Sequence, residues 1–460
     1  MTTKRSDILL ASIREGRSMT MAERLDLIVR LSIPSILSQA ATVLMFYIDA
    51  AMVGHLGAEA SAAIGLVDTT TWLFTGLTTA FALGFSVQTA HCIGANDLER
   101  ARQVFRHGLI CTTIASIAML LVCVAIHREL PYLLGGNSDI AHDASTYFLV
   151  FSLALPMFQL SNTCGTVLKS SGDMRIPSIV NAAMCLVDVA MNYLFIYVVG
   201  LGVLGAALGT AIAITSAAAA QAYFAIVRSK MLSLCRSGER LLWSWHSVRN
   251  AAWVSSPLAL QTALTCGAHI VSTVIVAPLG NFAIAANTFA ITAESLCYMP
   301  GYGIGEAATT LVGQSMGAGR YDLSRSLARL TVYLGMAVMT FMGILMYIFA
   351  PEMIGMLSPV EEIRLLGTQS LRIEAFAEPM FAAAIVTYNV GVGAGDSIRP
   401  ALFNFLSMWC VRLTLAALLA PRYGLLGVWA AMATELTLRG IVFLVYLWNG
   451  SWLKRRWKAL

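Results

Sequence analysis

The sequence predicts an all-α polytopic membrane protein, with twelve transmembrane helices in two parallel six-helix repeats. Three observations predict it. The 460 residues are 58% hydrophobic and only 12% charged, with a mean hydropathy of +0.73, whereas soluble domains carry about 25% charged residues. The apolar runs are long and unbroken rather than alternating, which selects helices over a membrane barrel. Landmarks also recur at a shift of 223 residues: Pro34 with Pro257, Leu56-Gly57 with Leu279-Gly280, Gly94-Ala95 with Gly317-Ala318, Gly172-Asp173 with Gly395-Asp396, Pro177 with Pro400 and Asn181 with Asn404.

Taken in order, the spans are expected at 31–53, 61–91, 107–127, 142–168, 176–199, 203–227, 251–276, 284–314, 329–350, 369–391, 400–420 and 425–448. Each run is long enough to cross a hydrocarbon core of about 30 Å. Residues 1–30 form a polar cytoplasmic segment, with a short interfacial helix expected around Ala22 to Arg30. The polar connector 228–250 separates an N-lobe, 31–227, from a C-lobe, 251–448, and 449–460 is a basic tail.

Lys and Arg set the orientation. One side collects Lys4, Arg5, Arg100, Arg102, Lys169, Arg228, Lys230, Arg236, Arg240, Arg320, Arg325, Arg399, Arg455, Arg456 and Lys458, among others. The opposite side holds Arg128, Arg364, Arg372 and Arg422. Both termini and the connector are therefore expected in the cytoplasm. The formal charge of +5 then reflects topology and not a nucleic-acid surface.

The chemistry is expected in the fifth span. Asp188 lies in its middle, with Asn192 four residues later and Asn181 seven earlier, all on one helical face. A carboxylate at that depth costs about 2.5–3.5 kcal/mol on insertion scales, so its default meaning is functional. Asp49, in the first span, reads as the one other acid of comparable depth in the first half. An acid taken out of water holds its proton more tightly, and two acids in one cavity titrate as a pair. The same acids, with oxygens from Asn192, Asn162 and Thr210, also suit Na⁺. The spacing leaves H⁺ and Na⁺ both open, and a purely local polar contact between helices remains the plain alternative.

The repeat sharpens the point. Shifted by 223, Asp49 becomes Ser272, Asp188 becomes Val411 and Asn192 becomes Leu415, so the skeleton is duplicated and the acidic cluster is not. Pro34, fifteen residues before Asp49, permits a kink that loading of Asp49 would change; a static kink is the alternative. In the second half Glu294 and Glu306 flank Pro300, and Glu374 and Glu378 sit four apart. Glu294 and Glu378 would attract organic cations, with Tyr298 adding cation–π contact. The rival meaning is an internal ion pair, Arg412 with Glu435 or Glu378.

Other classes lack their signatures. The chain holds no G-x-x-x-x-G-K-[ST], and no nucleophile–base set is visible. Its nine Cys form no C-x-x-C, and its seven His no H-x-x-x-H, so neither a metal nor another cofactor is expected beyond the coupling ion. Gly301, Gly303 and Gly305 sit beside Pro300 inside a span and read as close helix packing.

The chain resembles the multidrug and toxic compound extrusion (MATE) family from about residue 25 to 450. The resemblance rests on IPSILSQ, HLGAEASAAIG, IGANDLERA with its partner MGAGRYDLSRS, LVGQSMGAG, KSSGDMRIP and LGVLGAALGTAIA. It implies twelve helices in two lobes and export of organic compounds coupled to entry of H⁺ or Na⁺. Asp49 is similar to the first-helix acid of DinF-like members and Pro34 to their hinge proline. Asn162, Asp188, Asn192 and Thr210 fall at the family's N-lobe cation-site spacing. Two departures stand out. Archaeal relatives place Asn before Asp in span five, whereas Asp188 precedes Asn192 here. The span-seven glutamate of NorM-like members is absent, with Thr265 and His269 in that stretch.

The expected function is therefore secondary antiport of amphipathic or cationic small molecules by a single chain among lipids. A lipid-linked oligosaccharide flippase of the same superfamily is the first rival, and a membrane-embedded enzyme the second. The flippase would call for a more cationic cavity than Arg412 alone provides.

Overall fold

In the computed structural model, which describes residues 2–235 and 242–454, every regular element is helical. The helices are α1 (Thr2–Arg14), α2 (Met21–Gly54), α3 (Ala58–Gly94), α4 (Leu98–Ile126), α5 (Leu130–Leu133), α6 (Ser138–Ser170), α7 (Arg175–Tyr193) and α8 (Gly202–Ala222). They continue as α9 (Trp245–Val276), α10 (Asn281–Gly317), α11 (Tyr321–Leu357), α12 (Glu361–Ala375), α13 (Glu378–Gly393), α14 (Ile398–Leu406) and α15 (Leu413–Asn449). Wider π-type turns extend α7 through Leu194–Val198, extend α8 through Tyr223–Arg228 and join α14 to α15 through Ser407–Arg412. Arg236 and Arg240 of the connector, and Arg455, Arg456 and Lys458 of the tail, lie outside the described residues.

The twelve spans follow from these lengths. Among the described residues nine helices are long and apolar enough to cross a membrane, and α12 with α13, bent by 60° at their junction, makes a tenth crossing. The 37-residue α10 is another; its polar residues, Glu294 and Glu306 among them, lower its hydropathy. Ile398–Asn449 runs for 52 residues, about 78 Å of helix at 1.5 Å per residue, twice what one crossing needs. It is broken at Gly424, with φ 59° and ψ −140°, and so carries two spans. Outside the helices' packed faces, Leu37, Ile179 and Leu186 stand 65%, 67% and 74% exposed, as lipid-facing residues must.

The repeat is written in the backbone as well as the sequence. Positive φ recurs at the matched positions Gly57 and Gly280 (117° and 98°), Asn96 and Gly319 (60° and 70°), and Gly172 and Gly395 (91° and 81°). With a one-residue slip, Gly202 matches Gly424, both at 59°. These are the turns between helices, where a left-handed residue lets the chain reverse.

Two compact units emerge: Ala41–Thr262, and Met1–Ala40 together with Ala263–Leu460. Their boundaries fall inside α2 and inside α9. In the first unit α3 packs on α4 and α6, and α8 packs on α6 and α7. Its core includes Val67, Met119, Phe148 and Leu155. In the second, α10 packs on α11 and α13, and α13 on α15. Trp429, 1% exposed, anchors that core, and its Nε1 donates to Asn287 Oδ1 at 3.0 Å. The glycines beside Pro300 do allow close packing: a Cβ at Gly303 would lie 2.7 Å from the backbone nitrogen of Ile36.

The N-terminal segment departs from expectation. Its separate helix is α1, at Thr2–Arg14, whereas Ala22 to Arg30 belong to α2. Leu9, Leu10 and Ile13 are buried. That apolar stripe holds α1 against α10, which a reading of segment polarity misses.

Candidate functional site

α7 is amphipathic in the sense a membrane interior demands. Its buried residues Val180, Cys185, Asp188 and Asn192 recur at helical spacing, with lipid-facing Ile179 and Leu186 between them. Asp188 and Asn192 are 1% and 2% exposed. The Asn192 amide Nδ2 donates to Asp188 Oδ2 at 3.1 Å, one turn back on its own helix. The same nitrogen donates to Asp49 Oδ1 at 3.0 Å, near the end of α2. The two carboxyl groups lie close enough to interact electrostatically, and the Thr210 side chain of α8 lies near Asp188. Sequence spacing thus names four residues, Asp49, Asp188, Asn192 and Thr210, that one unit brings together.

Gly209 makes the arrangement possible. A Cβ there would collide with Asn192 Oδ1 and lie 2.9 Å from the Asn192 backbone nitrogen. Asn192 therefore leans against a bare backbone, with its Oδ1 buried and unpartnered and its NH₂ turned to the acids.

Among the described residues no Lys, Arg or His forms an ion pair with Asp49 or Asp188. Two carboxylates sharing one neutral donor, with no base, need a proton or a cation between them.

Two further polar residues named from the sequence bond to neighbouring helices. Asn162 donates to Thr78 Oγ1 at 2.9 Å and Thr79 Oγ1 at 3.3 Å, tying α6 to α3. Asn181 accepts from Gln221 Nε2 of α8 at 3.0 Å. Spacing marks Asn181 and residue type marks Asn162, but their partners lie on other helices, 40 and 84 residues away. A further acid of the first half lies inside a spanning helix. Asp68 lies on α3, and Tyr147 of α6 is within electrostatic range of Asp68, Asp49 and Asp188. The signal for Asp68 is an acid eleven residues into a 37-residue apolar helix.

The second unit holds a different cluster. Glu294 on α10 is 5% exposed, and Glu374, Glu378 and Glu435 are fully buried. Glu374 is the penultimate residue of α12 and Glu378 begins α13, so the pair straddles the 60° bend. The carboxylate oxygens of both lack a hydrogen-bond partner. Glu435 pairs with Arg439, four residues on, at 3.2 Å, not with Arg412. Arg412 reaches Met432 Sδ at 2.6 Å and lies within electrostatic range of Glu294 and Glu374. Tyr298 packs edge-on against Tyr302 and Phe381, with ring centroids 5.9 and 5.6 Å away.

Comparison with known proteins agrees with this architecture. The family model for MatE matches residues 34–194 and again 257–418, two copies that begin 223 residues apart. Over 443 residues the chain is 25% identical to a probable multidrug resistance protein NorM of Thermotoga maritima, covering 93% of each. A solved MOP superfamily transporter from Pyrococcus furiosus superposes with TM-score 0.88 at 20% identity, covering 94% of this chain and 97% of that one. An outward-facing multidrug resistance MATE family transporter superposes with TM-score 0.89 at 20% identity, with the same coverage.

Proposed function

The chain belongs to the MatE family, whose members are transporters and not enzymes, and from that premise we propose that it is a proton-coupled antiporter exporting amphipathic or cationic small molecules. The observation that carries the reading is the pair Asp49 and Asp188, without an ion pair to any base among the described residues and joined through the Asn192 amide. Asp49 and Asp188 take up and release the coupling ion. Asn192 and Thr210 hold the carboxyl groups at the required separation. Asn162 supports the helices and does not touch the ion.

Between the two ions, the geometry favours H⁺. Na⁺ takes oxygen ligands, as hard cations do, but Asn192 presents its nitrogen to the acids and turns its oxygen toward Gly209. Carboxyl groups within reach of one another share a proton readily.

On this reading the lobes are 31–227 and 251–448, Pro34 is the hinge of the first span, and the DinF-like branch is the nearest pattern. The Lys and Arg distribution supports cytoplasmic termini, and the bacterial relatives support the inner membrane. Glu294, Tyr298 and Glu378 receive the cationic part of the substrate. Four buried glutamates against Arg412 and Arg439 make the second unit's interior acidic. That polarity supports cation export over movement of a pyrophosphate-linked lipid.

Purified protein in proteoliposomes tests the proposal. A pH gradient should drive efflux of a dye cation, and a Na⁺ gradient at equal pH should not. Efflux driven by Na⁺ alone would reassign the ion; efflux under neither gradient would end the antiport reading.

A further inference from the structure

The two copies of the repeat differ at the starts of α4 and α11, and a cavity lies beside the second. In the first copy the turn Gly94–Asp97 leads into α4, and Asp97 Oδ1 accepts from the Arg100 amide at 3.0 Å. That is an ordinary acidic cap, satisfying one of the amides a helix start leaves over. In the second copy the turn has the same shape, with Gly319 at φ 70° where Asn96 has 60°. The capping position now holds Arg320, and α11 starts with no side-chain cap.

A base stands where an acid closes the first copy. Beside it lies a cavity of about 480 Å³, lined by Ser18, Arg24, Arg320 and the first turn of α11. Its two guanidinium groups are held in place. Arg24 Nη1 donates to Ser326 Oγ at 2.7 Å, and Arg320 Nη1 to the Ser12 carbonyl at 2.9 Å. Arg24 Nε is buried with no acceptor. The nearby Asp26 does not supply one, being engaged by Arg5 at 3.1 Å and Arg30 at 2.7 Å. Asp322 is the acid on the cavity wall, and it is exposed.

We propose that this cavity binds a phosphate group, which takes the place of the missing acidic cap. Two fixed guanidinium forks and a free helix start match a tetrahedral anion with several oxygens. The volume exceeds an inorganic ion and leaves room for an ester substituent. A membrane lipid headgroup and a soluble phosphate share this chemistry. Because Arg320 also holds α1 through Ser12, an occupied site ties the N-terminal helix to the start of α11.

Titration calorimetry on the purified full-length chain in a zwitterionic detergent tests this without any transport assay. One arm uses inorganic phosphate at constant ionic strength; the other uses dihexanoyl phosphatidate below its micelle concentration. Saturable binding is expected, weakened at least tenfold by Arg320→Asp, which writes the first copy's cap into the second. Arg24→Gln, which keeps the Arg320–Ser12 bond, should weaken it similarly. Tighter binding of the phosphatidate assigns a lipid headgroup, and tighter binding of inorganic phosphate a soluble ligand. Absence of saturation in both arms, or unchanged affinity in both variants, overturns the proposal.

Discussion

Asp49 and Asp188 share one hydrogen-bond donor: the same amide nitrogen of Asn192 lies 3.0 Å from the first and 3.1 Å from the second. A neutral donor can orient two carboxylates, but it cannot neutralise them.

Removing either acid should therefore stop coupling without unfolding the protein. Asp49→Asn and Asp188→Asn each keep the side chain's shape and a hydrogen-bonding oxygen. Dye efflux driven by a pH gradient is expected to fall at least tenfold in both, with little change in unfolding temperature. Wild-type efflux in both variants would remove the site.

Gly209→Ala tests the backing of Asn192. The added Cβ collides with the Asn192 side chain and sits 2.9 Å from its backbone nitrogen. Overpacking of this kind costs about 1–3 kcal/mol, read as a lower unfolding temperature in detergent. Efflux should fall with it, because Asn192 can no longer hold both acids.

Asn162→Ala separates structure from ion handling. Its amide ties α6 to the Thr78 and Thr79 hydroxyls. Losing those bonds should cost about 1 kcal/mol of stability while the dependence of efflux on pH keeps its form. A lost pH dependence would return Asn162 to the cation site.

In the second unit, Glu294→Gln and Glu378→Gln should change which cations are exported and leave proton coupling intact. The readout is a panel of dyes and drugs under a fixed pH gradient. A uniform loss across the panel would assign these glutamates to coupling instead.

Arg439→Met strands the Glu435 carboxylate, which is fully buried and has its ion pair at 3.2 Å. Leaving a buried charge unpaired costs about 3–5 kcal/mol. Thermal unfolding should show that loss, and Glu435→Gln in the same chain should recover most of it.

Much of this protein was legible before any coordinates. Hydropathy and length determine the spans, because lipid leaves the backbone no option but to close its hydrogen bonds within each helix. The repeat at 223 residues was plain from Pro34, Gly57 and Gly172 with their partners, since the same turn demands the same residue. Asp188 and Asn192 were placed on one face because helical spacing is a local rule.

Contacts between helices obey no local rule. Gln221 takes Asn181, Thr78 and Thr79 take Asn162, and Asp68 stands with Tyr147 near the acid pair, each across a large separation in sequence. The bend between Ala375 and Glu378 divides two glutamates that sit four apart in the sequence. Only the packed fold settles such pairings, because they depend on how far each helix is rotated and raised against its neighbours. Composition and spacing determined which residues face inward; tertiary packing decided which of them meet.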